Sequence, residues 1–359
     1  MNTSLTPKQM LRLLFWETTI KCNLTCAHCR RIESDDTADR DITTIQAKDL
    51  IMQLSDLGKK QPMMPVLVFS GGEPLCREDL FDLISYAKSL NLIPALATNG
   101  TLIDSGIASR IKNSGVMRVS VSLDGADAET HNKLRCMEGS FERALEGINH
   151  LHENNVPFQI NLTLTKHNAH QLKDVYKLAE SLGAVALHIF VLVPVGCGLS
   201  LEHTDMLTPI EYEQKMLEIY ELEKLARLQV KVTCGPHYER IVRQQGDSSN
   251  TQAGHGRGAK SRGCLAGLGV IFVGHQGDVF PCGYLPVNCG NILQDKLEDI
   301  WYNNKDLARM RDSNNLEGKC GICGYRHICG GCRGRAYAAT GNYMAQEPFC
   351  AYVPPEAVK

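Results

Sequence analysis

LRLLFWETTIKCNLTCAHCR, residues 11–30, is the stretch on which the fold turns. An apolar run, broken only by Arg12 and Glu17, reads as a strand, and Cys22, Cys26 and Cys29 follow it at once as C-x3-C-x2-C. The loop after a strand is where βα barrels gather their chemistry. Three thiolates on one short loop suit three irons of a cubane. A [4Fe–4S] cluster normally takes four cysteines, so this set leaves one iron open for another ligand. A single zinc ion is the bland rival; it asks for a tetrahedral set, and the nearest fourth ligand is His28, squeezed between Cys26 and Cys29.

Working outward, the same rhythm of apolar run and amphipathic stretch repeats. The first strand leads to a helix over 43–58, PVLVFS to 77–90, and LIPALAT to 102–114. VMRVSVSL leads to 138–155, FQINLTLT to 168–182, and VALHIFVLV to 208–228. Strands that are apolar throughout, rather than alternating, are expected to be buried on both faces, as in parallel sheets flanked by helices. The expectation is an α/β fold, a partial (β/α)6 barrel over residues 1–235. Residues 246–263, GDSSNTQAGHGRGAKSRG, lack apolar periodicity and read as a loop. Residues 236–263 are therefore taken as a bridging region and 264–359 as a second, cysteine-rich module.

The 359 residues carry 38 Lys and Arg against 40 Asp and Glu, so no global field recommends nucleic acid or an anionic membrane as partner. Fifteen cysteines are too many for a chain of this size to need as staples, and an odd number cannot all pair. The N-terminus does not read as a secretory signal, and no apolar run reaches the roughly 18 residues a membrane helix needs. The chain reads as soluble and cytoplasmic, with reduced thiols.

Seven cysteines lie in residues 1–263 and eight in 264–359. The C-terminal series runs Cys264, twelve residues, Gly277, four residues, Cys282; then Cys320-x2-Cys323-x5-Cys329-x2-Cys332; and finally Cys350. CGIC followed by CGGC is also a zinc-like pairing, so clusters and a zinc ribbon both stand at this point.

Taken together these motifs resemble the radical S-adenosylmethionine (SAM) enzymes that carry a C-terminal SPASM module. The resemblance covers nearly the whole chain. It implies a [4Fe–4S] cluster on Cys22, Cys26 and Cys29 whose open iron binds SAM. His28 departs from the aromatic residue usual before the last cysteine. Ser70-Gly71-Gly72-Glu73-Pro74 is similar to the family's GGEP element, where glycines let backbone approach a ligand and Glu73 or backbone carbonyls can accept from an ammonium group. Thr98-Asn99-Gly100 and Ser122-Leu123-Asp124-Gly125 end the next two strands, and Asn161 and Thr163 sit in the fifth. The resemblance implies that Asn99, Ser122 and Asp124 face SAM and that Arg135 meets its carboxylate.

In the C-terminal module it implies one auxiliary [4Fe–4S] cluster on Cys320, Cys323, Cys329 and Cys350, and three ligands of another from Cys264, Cys282 and Cys332. The second set lacks a fourth cysteine nearby, which leaves an open iron, a contribution from Cys289, or a single auxiliary cluster. The remaining Cys76, Cys136, Cys197 and Cys234 read as small buried hydrophobes.

The residues around the module are similar to the haem synthases of the siroheme-dependent pathway, a branch of the same family. That implies oxidative decarboxylation of two propionates of Fe-coproporphyrin III to vinyl groups, with a low-potential donor such as ferredoxin or flavodoxin. A tetracarboxylate needs cationic partners. The candidates are Arg257, Lys260 and Arg262, with Arg240, Arg243, Arg333 and Arg335 behind them; His237, His255 and His275 are candidates to meet the iron. The competing reading is a peptide-modifying maturase. Such enzymes often carry an N-terminal peptide-recognition domain, for which about twenty residues before Cys22 leave little room.

Overall fold

The structure, a computed structural model, describes residues 10–31, 41–246 and 262–357. Six strands follow one another in space as they do in the chain: β1 (Leu13–Glu17), β2 (Val66–Ser70), β3 (Ile93–Thr98), β4 (Arg118–Ser122), β5 (Phe158–Leu164) and β6 (Ala186–Val191), each parallel to the next. Between them run α1 (Thr44–Lys59), α2 (Leu80–Ser89), α3 (Ser105–Ser114), α4 (Ala128–Arg135), α5 (Ser140–Glu153) and α6 (Leu172–Ser181), with α7 (Pro209–Leu225) after β6. Local chemistry starts these helices. Thr43 and Gln46 form a capping box on α1, as Thr208 and Glu211 do on α7 behind Pro209. The short α4 is an addition to the expected rhythm; Asp127 caps it by accepting the Thr130 N–H.

The sheet does not stop at six strands. β7 (Gln229–Thr233) adds parallel to β6, and α8 (His237–Gln244) follows it, so the stretch taken as a bridge opens with a helix. Residues 247–261, including Arg257 and Lys260, lie outside the described residues. On the other edge β8 (Val270–Val273) pairs in parallel with β1 and turns into the antiparallel β9 (Val279–Phe280). The result is a nine-stranded sheet in the order β7-β6-β5-β4-β3-β2-β1-β8-β9. Four short helices complete the chain: α9 (Leu297–Asn303), α10 (Lys305–Arg311), α11 (Gly318–Ile322) and α12 (Arg333–Thr340).

Burial corrects one expectation. The central strands are not closed on both faces: along β3 and β4 the exposure alternates, with Ala95, Ala97, Ser120 and Ser122 half-exposed between buried neighbours. Asn161, Thr163, His188 and Phe190 continue that half-open face on β5 and β6. Apart from Phe190 it is lined by small and polar side chains, and the alanines leave the run looking apolar throughout in sequence. The other face packs under the helices in one core that also takes in Ile271, Val279, Leu297 and Trp301 of the C-terminal part. A small separate core of Leu285, Met310, Leu316, Tyr343 and Met344 supports the cysteine-rich segment. Among the described residues no helix is long and apolar enough to cross a membrane.

Candidate active site

The cysteine loop is held first by main chain. Thr18 N–H donates to the Ser70 carbonyl, Gly72 N–H to Thr19 and Glu73 N–H to Lys21, each at 2.8 Å. A Cβ at Gly71 would stand 2.5 Å from the Thr19 oxygen and one at Gly72 2.2 Å from that of Lys21. The glycines therefore admit the approach of one loop to the other. Glu73 is fully buried: Oε1 accepts from the Thr98 hydroxyl at 2.8 Å and Leu75 N–H at 3.2 Å, and Oε2 accepts from Asn99 N–H at 2.8 Å. Asn99 in turn donates to Asn23, inside the cysteine loop, at 2.8 Å. The Glu73 carboxylate and the Asn99 amide, expected to face a ligand, are thus engaged by the protein and brace the loop.

A second brace comes from β4 and α4. Asp124 is fully buried, with Oδ2 2.6 Å from Arg135 Nη2 and 3.3 Å from His28 Nε2, while Oδ1 accepts the Thr163 N–H at 2.7 Å. Burial opposes ionisation of Asp124 most strongly, but Arg135, His28, His131 and the Thr163 N–H together outweigh it and hold the carboxyl below its usual range. Arg135 also points Nη1 at the Cys26 sulfur, 3.8 Å away. Its charge is therefore met by Asp124 before any carboxylate arrives. Burial pushes His28 down to about 4 against the pull of Asp124, so the imidazole is neutral at pH 7. Ser122 stands half-buried at the end of β4.

The far side of the loop meets the C-terminal module and the turn after β6. Arg30 pairs with Glu17 at 2.7 Å and lies over the Phe272 ring at 4.1 Å; His275 Nδ1 completes the group 3.0 Å from Glu17. Gly198 N–H donates to the Cys29 carbonyl at 3.2 Å. Burial pushes the Cys22 thiol up to about 11 and raises Cys26 also. Thiols so placed ionise when a metal cation supplies the missing charge. The Leu24 N–H, 3.4 Å from the Cys22 sulfur, suits a charged thiolate.

In the C-terminal module Cys320, Cys323, Cys329 and Cys350 line one partly open hollow. Main-chain N–H groups of Tyr325 and Glu347 point at the Cys323 and Cys320 sulfurs, both at 3.4 Å. Cys332, although only three residues from Cys329, turns away from this set. Gly330 and Gly331 lie consecutively at φ 73° and 61°, a left-handed double step that side-chain-bearing residues rarely adopt. It directs Cys332 to a second group with Cys264 and Cys282.

Two residues in these surroundings take places other than those expected: Cys234 as a buried hydrophobe and His237 as a candidate for the substrate iron. Cys234, taken for a small buried hydrophobe, lies against Cys332. His237, fully buried, lines the hollow of the first set with its ring edge-on to Tyr212, centroids 4.8 Å apart. Neither of its ring nitrogens has a partner among the described residues. No local signal marks Cys234, whose thiol neighbours are tens of residues away. Cys289, held in reserve as a ligand, packs in the main core with its thiol toward the Val287 carbonyl. Cys136 is exposed rather than buried.

The cations divide. Arg335 is paired with Glu347, Arg240 with Glu213 at 2.5 Å, and Arg333 donates to the Tyr343 and Ala345 carbonyls, so these three serve the fold. Arg262 stands beside Cys264 and Cys329, between the two thiol groups. His275 is engaged by Glu17, and His255 lies outside the described residues. Among the described residues no three His, Cys, Asp or Glu side chains are close enough to share a single metal ion. A cluster in which each thiolate takes its own iron asks for no such convergence.

Residues 16–179 match the Radical SAM superfamily, and residues 264–324 match SPASM, an iron-sulfur cluster-binding domain. A Methanosarcina barkeri protein named AdoMet-dependent heme synthase is 45% identical over 346 residues, 96% of this chain and 97% of that one. A protein of the same name from Nitratidesulfovibrio vulgaris is 41% identical, covering 96% of this chain and 93% of its own. Among solved structures, Streptococcus suis SuiB bound to precursor peptide SuiA superposes with a TM-score of 0.74 over 96% of this chain and 76% of that one. At 17% identity that likeness is one of fold.

Proposed function

The chain belongs to the radical SAM superfamily and, within it, to the family of the AdoMet-dependent haem synthases, and from that membership we propose that it converts two propionates of Fe-coproporphyrin III to vinyl groups, giving haem b. The observation that carries this is 41–45% identity to haem synthases along 96% of the chain. Its cofactors are [4Fe–4S] clusters and SAM. When bound, these would supply a primary carbon radical able to take a hydrogen atom that no side-chain base at its ordinary pKa removes.

Each propionate loses a β-hydrogen atom, carbon dioxide and one electron. Cys22, Cys26 and Cys29 would hold the SAM cluster, and Glu73, Asn99 and Arg135, assigned to the SAM site, also keep that loop in place. Gly71, Gly72, Ser122 and Asp124 form the wall of the SAM site. Cys320, Cys323, Cys329 and Cys350 would hold one auxiliary cluster and Cys264, Cys282 and Cys332 a second, which would supply an acceptor for the electron left after decarboxylation. Arg257 and Lys260 are assigned to substrate carboxylates. Arg262, beside the thiols of both groups, serves the clusters. A ferredoxin or flavodoxin supplies the first electron, and fifteen free thiols suit a reducing, cytoplasmic setting.

The test is anaerobic turnover with SAM, dithionite and Fe-coproporphyrin III, read by mass spectrometry. Porphyrin-stimulated 5′-deoxyadenosine and the loss of two carboxyl groups are expected. SAM cleavage indifferent to porphyrin, with no vinyl product, would overturn the reading and favour a peptide substrate.

A further inference from the structure

Cys234 lies one residue beyond β7, thirty positions before the first cysteine of the C-terminal series. Its thiol is hydrogen-bonded to that of Cys332 and has Cys282 as a further neighbour; Cys282 in turn stands beside Cys264 and Cys332. Four sulfurs from three separate stretches of chain therefore meet in one place. The backbone is bent to bring this about. Cys234 sits at φ 56°, a left-handed conformation that residues with a side chain rarely adopt. Its carbonyl is gripped by Arg335 Nη2 at 2.6 Å, from the first turn of the helix that Cys332 begins. A small buried hydrophobe needs neither the strained turn nor the clamp.

We propose that Cys234 is the fourth thiolate of the auxiliary cluster held by Cys264, Cys282 and Cys332. The inference rests on those three being cluster ligands, as read above. It replaces the open iron and Cys289 as ways of completing the set. With four protein thiolates this cluster has no vacant iron, so it cannot take a substrate atom as ligand and works by electron exchange alone.

The experiment uses full-length protein, reconstituted anaerobically, with SAM present to occupy the iron left open at Cys22, Cys26 and Cys29. Wild type carries about twelve irons, four for each of three clusters, and added cyanide leaves the auxiliary EPR signals unmoved. Cys234→Ala alters or loses the same auxiliary signal that Cys264→Ala abolishes, and what persists of it responds to cyanide; Cys289→Ala behaves as wild type. An auxiliary cluster in wild type that binds cyanide, or a Cys234→Ala protein with wild-type iron and spectrum beside a Cys264→Ala protein that has lost a cluster, overturns the proposal and leaves the cluster reading intact. If Cys264→Ala also keeps every signal, the cluster reading itself fails. The cyanide test on wild type stands even where the alanine variant does not fold.

A different observation carries a second inference. His237 lines the hollow of Cys320, Cys323, Cys329 and Cys350, fully buried, and neither ring nitrogen has a partner among the described residues. A buried imidazole with neither nitrogen paired is costly, so a partner that occupies the hollow is called for. We infer that His237 donates an N–H hydrogen bond to a sulfur of the cluster bound there, which draws charge from the cluster and raises its reduction potential. His237→Phe, with its iron content intact, should shift the midpoint of that one cluster to more negative potential in an EPR-monitored redox titration, and His237→Gln, which keeps an N–H, should recover part of the shift. Unchanged midpoints in both variants at full iron content overturn the assignment.

Discussion

Arg335 and Glu347 form an ion pair, Nε to Oε1 3.0 Å, with side chains 1% and 0% exposed. The pair is a hub for the cysteine-rich segment. Glu347 Oε2 accepts the Cys332 N–H at 2.5 Å, and Arg335 holds the Cys234 carbonyl on the barrel side. Burial works against the Glu347 charge, and Arg335 with His237 and the Cys332 N–H more than offsets it, keeping the carboxyl below its usual range.

Removing one partner leaves the other buried and uncompensated. Glu347→Gln is expected to destabilise the protein by about 3–5 kcal/mol in anaerobic urea unfolding. It should also lower the iron content by one cluster, while the signal that shifts on SAM addition persists. An unfolding midpoint equal to wild type would show that the pair is not structural.

Gly72 leaves no room for a side chain. Gly72→Ala must push apart the β2 loop and Lys21, at a cost of about 1–3 kcal/mol, and displace the cysteine loop. We expect loss of the SAM-responsive EPR signal with the auxiliary signals retained. Gly106→Ala, where the nearest atom is a side-chain oxygen of Asp104 at 3.3 Å, should stay within about 1 kcal/mol of wild type in the same assays.

The Glu73 carboxylate accepts from three donors, none of which a glutamine amide nitrogen can satisfy. Glu73→Gln is expected to cost about 1–3 kcal/mol and, by loosening the loop, to slow SAM cleavage on the order of a hundred-fold. Thr98→Val removes a single donor and should lie between this variant and wild type. Both are read by 5′-deoxyadenosine formation and thermal denaturation.

His131 accepts the Asp124 N–H on Nδ1 at 3.1 Å, which requires a neutral ring, and burial pushes its pKa down to about 3. In the unfolded chain the ring protonates near its ordinary value of about 6.5. The unfolded state therefore binds the extra proton first, and stability falls as pH drops from about 6.5 toward 3, by about 1.4 kcal/mol per pH unit. His131→Gln should flatten the decline between pH 7 and pH 5.5 in anaerobic urea titrations. Parallel declines in the two proteins would mean that His131 is not the sensing group.

The readable parts of this site are those with local signatures. Cys22, Cys26 and Cys29 stand out because one loop carries all three, and Gly71 and Gly72 because β2 must end where the first loop passes. Glu73 and Asn99 are legible as important, but their hold on the cysteine loop is not: a carboxylate near a ligand site and one that braces a loop have the same sequence. The half-open face of β3 and β4 was missed because Ala and Ser at alternate positions leave an apolar run looking continuous.

The sequence by itself determined the strand–helix order, the cysteine spacings and hence the chemistry, since each depends on residues within about one turn or one loop of each other. Tertiary structure alone decided the extension of the sheet by β8 alongside β1. It also decided the parting of Cys329 from Cys332 across two left-handed glycines, and the meeting of Cys234 and His237 with thiols far along the chain. Those are contacts between distant segments, set by how β7, α8 and the C-terminal module pack, and packing of that kind leaves no periodic trace in the residues that make it.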